Sequence, residues 1–284
     1  MTNIERYLKA SFDSSKAVTE SFSTSFTLGI HCLGKKIRNP IYGVYGFVRV
    51  ADEIVDTFFD TNQANELDEF ESSAYSAIKQ KYSPNLILHS FQHVVNFYNI
   101  DSELIRAFFS SMRSDLTEAK HTKNSLDQYV YGSAEVVGLM CLKIFVEGNQ
   151  DLYDKLKDSA KKLGSAFQKV NFFRDIREDY FEKGRIYFPG FDLDQNLNDE
   201  IKSNIESEIR DEFTEARKGI YQLPSSSRFG VLLACRYYEK LFKKLQATPV
   251  DKLVKKRVRI NNLQKAALIP STYFLSFLKS STKY

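Results

Sequence analysis

Asp52 and Asp56 stand four residues apart in the run Asp52-Glu53-Ile54-Val55-Asp56, and Asn171, Asp175 and Asp179 repeat that spacing in a second run. On a helix, side chains at i and i+4 leave the same face. Each run therefore lines up oxygen donors, with Asp60 continuing the first line and Gln168, one turn before Asn171, extending the second. Like charges at this spacing repel by a few tenths of a kcal/mol even when exposed. Arg49 accompanies the first line, and Arg174 and Arg177 the second. Two readings are open: solvated faces of amphipathic helices, or a hard-cation site. Oxygen donors without His or Cys suit Mg²⁺, with Mn²⁺ as a substitute; Mg²⁺ keeps several waters and is commonly completed by substrate phosphates. Two such helices facing each other across a cavity, with arginines gripping the outer phosphate oxygens, suit the ionisation of a diphosphate leaving group. Most of the 23 Phe and 16 Tyr are expected in the core. A subset lining the cavity would stabilise a carbocation with ring faces and exclude water.

The elements that must position these groups read as helices throughout. The chain has 284 residues, 43% apolar and 14% aromatic, enough for a sizeable core, and only 12 Gly and 6 Pro, too few for the turns of a large β fold. A net charge of +4 is far from the basic surface of a nucleic-acid binder, so no nucleic-acid partner is expected. Apolar residues at three- and four-residue spacing predict helices at about 4–12, 20–33, 41–60, 63–80, 85–98, 102–117, 126–147, 150–182, 198–222, 226–246 and 259–278. Pro40 and Pro84 are read at first turns, where the missing N–H costs nothing. The result is an all-α bundle forming one domain over 1–284, with 279–284 as a frayed tail.

Two interruptions stand out in so Gly-poor a chain. Gly132-Ser133-Ala134 through Gly138 lies in an apolar helix, which implies either close packing through small residues or a kink beside a ligand. Gly184-Arg185-Ile186-Tyr187-Phe188-Pro189-Gly190 is a loop ending a long helix. The three cysteines are dispersed in apolar stretches, and neither a signal peptide nor a spanning helix is seen, so a reduced cytoplasmic setting is expected. His89 and His93 have metal-compatible spacing but no HExxH pattern and are read as structural. Ala266 to Leu278, rich in aromatic residues, is read either as a last helix packed on the bundle or as a peripheral membrane contact.

Three blocks resemble the signature regions of the squalene/phytoene synthase family: Tyr45 to Asp56, Tyr129 to Gly138, and Gln168 to Pro189, with a Ser-Phe element at Ser25-Phe26. Their order and spacing follow the family over most of the chain. The resemblance implies an isoprenoid synthase-type bundle with a central cavity, and a head-to-head condensation of two allylic prenyl diphosphates through a cyclopropylcarbinyl diphosphate. It implies metal at Asp52, Asp56, Asn171, Asp175 and Asp179. It places Arg49, Gln168, Arg174 and Arg185 near diphosphate and metal, Tyr131 and Tyr238 near the reacting carbons, and Gly132, Val137 and Gly138 along the substrate.

Ile30 falls where family members making the thirty-carbon product carry a bulky aromatic, and the Gly-Arg-Ile-Tyr-Phe-Pro block looks most like bacterial phytoene synthases. Both imply geranylgeranyl diphosphate as substrate and phytoene as product, in carotenoid biosynthesis. No GxGxxG is present and no NADPH is expected. The alternatives are a squalene or dehydrosqualene synthase using farnesyl diphosphate, a terpene cyclase, which would lack the second and third blocks, and a non-catalytic assembly factor of the same fold, which would have no need of complete acidic lines. The sequence departs from the family at Phe22, where some members are basic, and near the C-terminus, where Arg257, Arg259 and Lys265 only loosely match an arginine-lysine pair. Arg259 is the expected cation for the second diphosphate. The oligomeric state is left open.

Overall fold

The computed structural model describes residues 1–190, 199–253 and 255–278; the expected tail at 279–284 lies outside them. The elements in order are α1 (Asn3–Phe22), α2 (Thr24–His31), α3 (Lys35–Asp56), α4 (Gln63–Gln80), α5 (Leu86–Tyr98), α6 (Ser102–Thr117), α7 (Lys123–Val130), a π turn (Tyr131–Glu135), α8 (Val136–Phe145), α9 (Gln150–Phe181), α10 (Asp199–Ile220), α11 (Ser225–Gln246), α12 (Val250–Leu253), α13 (Asn262–Ala266) and α14 (Leu268–Leu278). The all-α expectation holds. The one pairing of extended backbone among the described residues is a bridge between Lys120 and Ile186.

Helix starts follow side chains that satisfy free N–H groups. Thr2 and Glu5 form a capping box on α1, and Asn149 accepts from Leu152 N to open α9. Asn85 caps α5 through Ile87 N and Leu88 N, so Pro84 precedes that helix instead of occupying its first turn. Pro40 is likewise not at the start, since α3 begins at Lys35 and carries the proline inside it. The reading of 4–12 and 20–33 also fails at their junction, because α1 continues to Phe22 and Ser23 caps a separate α2. At the other end of α3 the helix stops at Asp56, so Asp60 lies outside it and is exposed. Residues 257–261 are non-helical, so the expected last helix starts only at Asn262, and a turn at Ala267 splits it into α13 and α14.

The core of the α3, α4, α5 and α6 layer is aromatic. Phe47 is fully buried and stacks on Phe91 with centroids 3.7 Å apart; Phe70, Phe108 and Phe109 surround it at 5.5–5.7 Å. The edge-on pairs Phe47–Phe109 and Phe108–Phe109 add about 0.5–1.5 kcal/mol each beyond area burial. On the other side, α9 packs against the π turn, α8, α10 and α11. The bridge at Lys120 is completed by His121 N to Ile186 O (3.2 Å) and Ile186 N to Ala119 O (2.8 Å). It anchors the loop after α9 to the segment after α6. No helix is long and apolar enough to cross a membrane among the described residues.

Candidate active site

A cavity of about 930 Å³ runs between α3 and α9. Asp52 and Asp56 line it from α3; Gln168, Asn171, Asp175 and Asp179 line it from α9. The two acidic lines thus meet at one end. Lys183 joins them, its Nζ 2.5 Å from Asp56 Oδ2 and 3.7 Å from Asp179 Oδ1.

Each acid has a cationic neighbour. Arg49 Nη1 is 2.7 Å from Asp52 Oδ2, and the same guanidinium also pairs with Glu53 and lies 4.4 Å over the Phe22 ring. Arg185 Nη1 donates to Asp56 Oδ1 at 2.6 Å. Arg174 Nε and Arg257 Nε lie 2.9 and 2.8 Å from Asp175 Oδ1. Tyr238 OH donates to Asn171 Oδ1 at 3.3 Å. Burial still dominates at some positions. It pushes Asp179 up to about 7, helped by Asp175 and Asp56. Burial and then Asp56 raise Asp52, whereas Lys183 and Arg185 overcome burial at Asp56 and hold it below the usual carboxylate value.

The donor set fits a hard divalent cation. It is oxygen only, and burial, helped by the neighbouring carboxylates, raises Asp52 and Asp179, so a bound cation would favour their ionised forms. Among the described residues no three Asp, Glu, His or Cys converge as a ready-made cage. Mg²⁺ takes one or two carboxylates and fills its remaining positions with water and phosphate oxygen.

Away from the acids the walls are apolar and aromatic. Phe167 stacks on Tyr238 at 3.9 Å, and Phe26 lies 5.3 Å from Tyr45 and 6.2 Å from Tyr238. Ser25, Val137, Gly138 and Arg259 line the cavity, and Ile30 does so while only 2% exposed.

Tyr131, Gly132 and Arg185 do not line it. Tyr131 is 39% exposed, with Lys161 Nζ 5.9 Å from its ring centroid, and Tyr129 lines the cavity in its place. The reason is the π turn. Counting back from Gly138 at 3.6 residues per turn lands on Tyr131, but the wider π turn takes up an extra residue and rotates Tyr131 off the face. Gly132 serves close packing: a Cβ there would lie 2.3 Å from Ala107 O on α6. Gly138 serves both readings, lining the cavity and passing so near α9 that a Cβ would be 2.9 Å from Ala160 O. Arg185 is buried behind Asp56 and positions it.

Asp115 was not anticipated. It lines the cavity from α6, accepts from Tyr129 OH at 2.8 Å and Tyr187 OH at 3.2 Å, and burial pushes it up to about 7 despite Arg185. Its signal in the sequence is a carboxylate on the buried stripe Leu104, Phe108, Ser111, Met112, Asp115.

A model of the squalene/phytoene synthase family matches residues 19–264. The chain belongs to that family. It is 26% identical over 303 residues to the chloroplastic phytoene synthase of an Oncidium hybrid cultivar, covering 97% of this chain and 71% of that one. Against phytoene synthase 1 of Solanum lycopersicum it is 26% identical over 292 residues, covering 95% and 69%. Among solved structures, a dehydrosqualene synthase in complex with ligand superposes with a TM-score of 0.80 at 24% identity, covering 97% of this chain and 99% of that one. A squalene synthase from Alicyclobacillus acidocaldarius gives 0.73 at 21% identity, covering 87% and 96%. These likenesses establish the isoprenoid synthase-type bundle. The family is one of prenyl-transferring enzymes acting on prenyl diphosphates.

Proposed function

We propose that this chain condenses two geranylgeranyl diphosphates head to head to phytoene. The observation that carries this reading is the meeting of Asp52 and Asp56 with Asn171, Asp175 and Asp179 at one end of an otherwise apolar cavity. The phytoene synthases among its relatives support it. Mg²⁺, held by those five residues when bound, would neutralise the departing diphosphate.

Arg174, Arg257 and Arg259, which line the same end, orient the outer diphosphate oxygens. The first C–O bond breaks with its electron pair leaving on oxygen. The allylic cation then takes the π electrons of the second substrate's double bond, and loss of a proton closes a cyclopropylcarbinyl diphosphate. A second ionisation, ring rearrangement and proton loss give the linear polyene, with no reductant consumed. Released diphosphate is a base already in place for both protons. The rings of Phe26, Tyr45, Phe167 and Tyr238 face the cations and keep water away.

The choice of the longer substrate is supported by Ile30, Gly29, Ala216 and Gly219, small or medium residues that line the cavity. Incubation with farnesyl and geranylgeranyl diphosphates, singly and mixed, tests the proposal by product mass. A forty-carbon hydrocarbon formed without NADPH is expected. Exclusive use of the farnesyl substrate overturns the choice of substrate; no hydrocarbon from either substrate overturns the reaction.

A further inference from the structure

Helix α14 is apolar on nearly every side. Leu275 packs against the core, and of the hydroxyl residues Thr272 is fully buried and Ser276 nearly so. Arg236 of α11 donates to Ser271 Oγ at 2.9 Å and Thr272 Oγ1 at 2.7 Å, and Arg228 reaches the Ser276 carbonyl at 3.4 Å. The aromatic residues face outward, with Tyr273 52%, Phe274 68% and Phe277 59% exposed, and Leu263 of α13 adds 82%. Helices bordered by water normally bury the apolar side. A cluster of exposed aromatic side chains marks a surface that meets something apolar.

Charge identifies the partner. Ala266 to Leu278 contains no charged residue, whereas the stretch just before it carries Lys252, Lys255, Lys256, Arg257, Arg259 and Lys265 with no acid among residues 252–265. Lys252, Lys255, Lys256 and Arg259 are exposed. Both stretches lie along α11: Lys244 Nζ donates to the Arg259 carbonyl at 2.8 Å, and Arg236, two turns earlier, holds the start of α14. A cationic band therefore adjoins the aromatic face.

We propose that this face docks on an anionic lipid bilayer, with Leu263, Tyr273, Phe274 and Phe277 entering the headgroup boundary and the cationic band resting on acidic headgroups. An eleven-residue helix is too short to span and lies in the plane. A second copy fits the face less well, because a two-fold contact brings like bands together. Arg257, Val258, Arg259 and Ile260 also line the cavity, so docking sets its rim beside lipid, into which an apolar product partitions. The docking itself does not depend on which hydrocarbon is made.

Flotation of the purified full chain with vesicles tests this, using phosphatidylcholine alone or phosphatidylcholine with phosphatidylglycerol. Binding to the anionic vesicles is expected, at least about tenfold weaker at high salt and on phosphatidylcholine alone. The double variant Phe274→Asp/Phe277→Asp is expected to lose at least about tenfold in binding while turning over detergent-dispersed substrate normally. Lys255→Glu/Lys256→Glu provides a second test that leaves the aromatic face intact, and is expected to weaken binding to anionic vesicles selectively. Unchanged binding by both variants, or no binding by the unmodified chain, overturns the proposal. So does a lipid-independent dimer abolished by the aromatic variant, which would assign the face to a second copy.

Discussion

Arg185 ties Asp56 to Asp115: its Nη1 lies 2.6 Å from Asp56 Oδ1, and its Nη2 donates to the Asp115 carbonyl at 2.9 Å. Nη1 is also 3.7 Å from Asp115 Oδ1. One buried guanidinium from the loop after α9 thus fixes an acid of α3 against an acid of α6. Removing it leaves Asp115 buried without its cation while Asp56 keeps only Lys183, and stranding a buried charge in this way typically costs about 3–5 kcal/mol. Arg185→Ala is expected to lower the urea midpoint by that order. Arg185→Lys should recover only part, because lysine keeps the charge and loses the fork. Equal stability of the Ala variant and the unmodified protein would show that the triad is not coupled.

The acidic lines themselves are tested by Asp52→Ala and Asp175→Ala. Each removes one carboxylate from the acidic line, while Arg49 keeps Glu53 and Arg257 keeps Glu178 as counter-ions. Product formation is expected to fall at least about 100-fold, with helical circular dichroism unchanged and the Mg²⁺ concentration for half-activity raised. Retained turnover in either variant removes that residue from the metal set.

Burial makes stability depend on pH. Asp115 and Asp179 are both raised to about 7 in the fold, first by desolvation, against about 3.9 in an unfolded chain. The folded state therefore holds protons that the unfolded state releases between about pH 4 and 7, and stability contributed by these groups is full below that window and lost as pH rises through it. Asp56, shifted downward, acts in the opposite direction and below the ordinary carboxylate range. Urea midpoints are thus expected to fall from pH 5 to pH 8. Asp115→Asn, which cannot ionise and still accepts one tyrosine hydroxyl, should flatten the dependence. An equally steep profile in that variant sinks the assignment.

What the sequence reveals here depends on distance along the chain. Asp52 with Asp56, and Asn171 with Asp175 and Asp179, are legible because i and i+4 is the helix's own period. The continuity of α1 was not legible, because its buried face is built from Ser11, Ser15 and Thr19 alongside Phe12. Those residues allow close approach in place of apolar burial: Ser15 Oγ is 2.7 Å from Ser90 Oγ, and a Cβ on Gly46 would lie 2.8 Å from Ser15 Oγ. Hydrophobic periodicity does not register such a seam. The exchange of Tyr131 for Tyr129 has a different origin, an added residue in the π turn that no spacing rule anticipates. The link between Arg185 and Asp115 depends on the Lys120–Ile186 bridge, a contact between distant segments.

Gly132 separates packing from catalysis. A Cβ there would lie 2.1 Å from Ser111 Oγ and 2.3 Å from Ala107 O, so α6 and the π turn must move apart to admit it. Gly132→Ala is expected to cost about 1–3 kcal/mol of stability, as overpacked cores do. Product identity should not change, because the glycine does not line the cavity. A changed product with unchanged stability would return Gly132 to the substrate wall.

In the proposed reaction, Ile30 is the residue expected to limit chain length. It is 2% exposed, lines the cavity and belongs to the short α2. Replacing it with Phe adds a ring to the wall and removes volume that a twenty-carbon chain needs more than a fifteen-carbon one. Overpacking lowers stability by about 1–3 kcal/mol wherever the ring is not accommodated in the cavity. A pocket contact of this size discriminates substrates by roughly 10- to 200-fold. In mixed-substrate competition, Ile30→Phe should therefore shift the ratio of kcat/KM from geranylgeranyl toward farnesyl diphosphate by at least about tenfold, with thirty-carbon product appearing. An unshifted ratio in a folded variant would mean that the end of the substrate chain lies elsewhere, and would leave the walls formed by Ala216 and Gly219 as the next to probe.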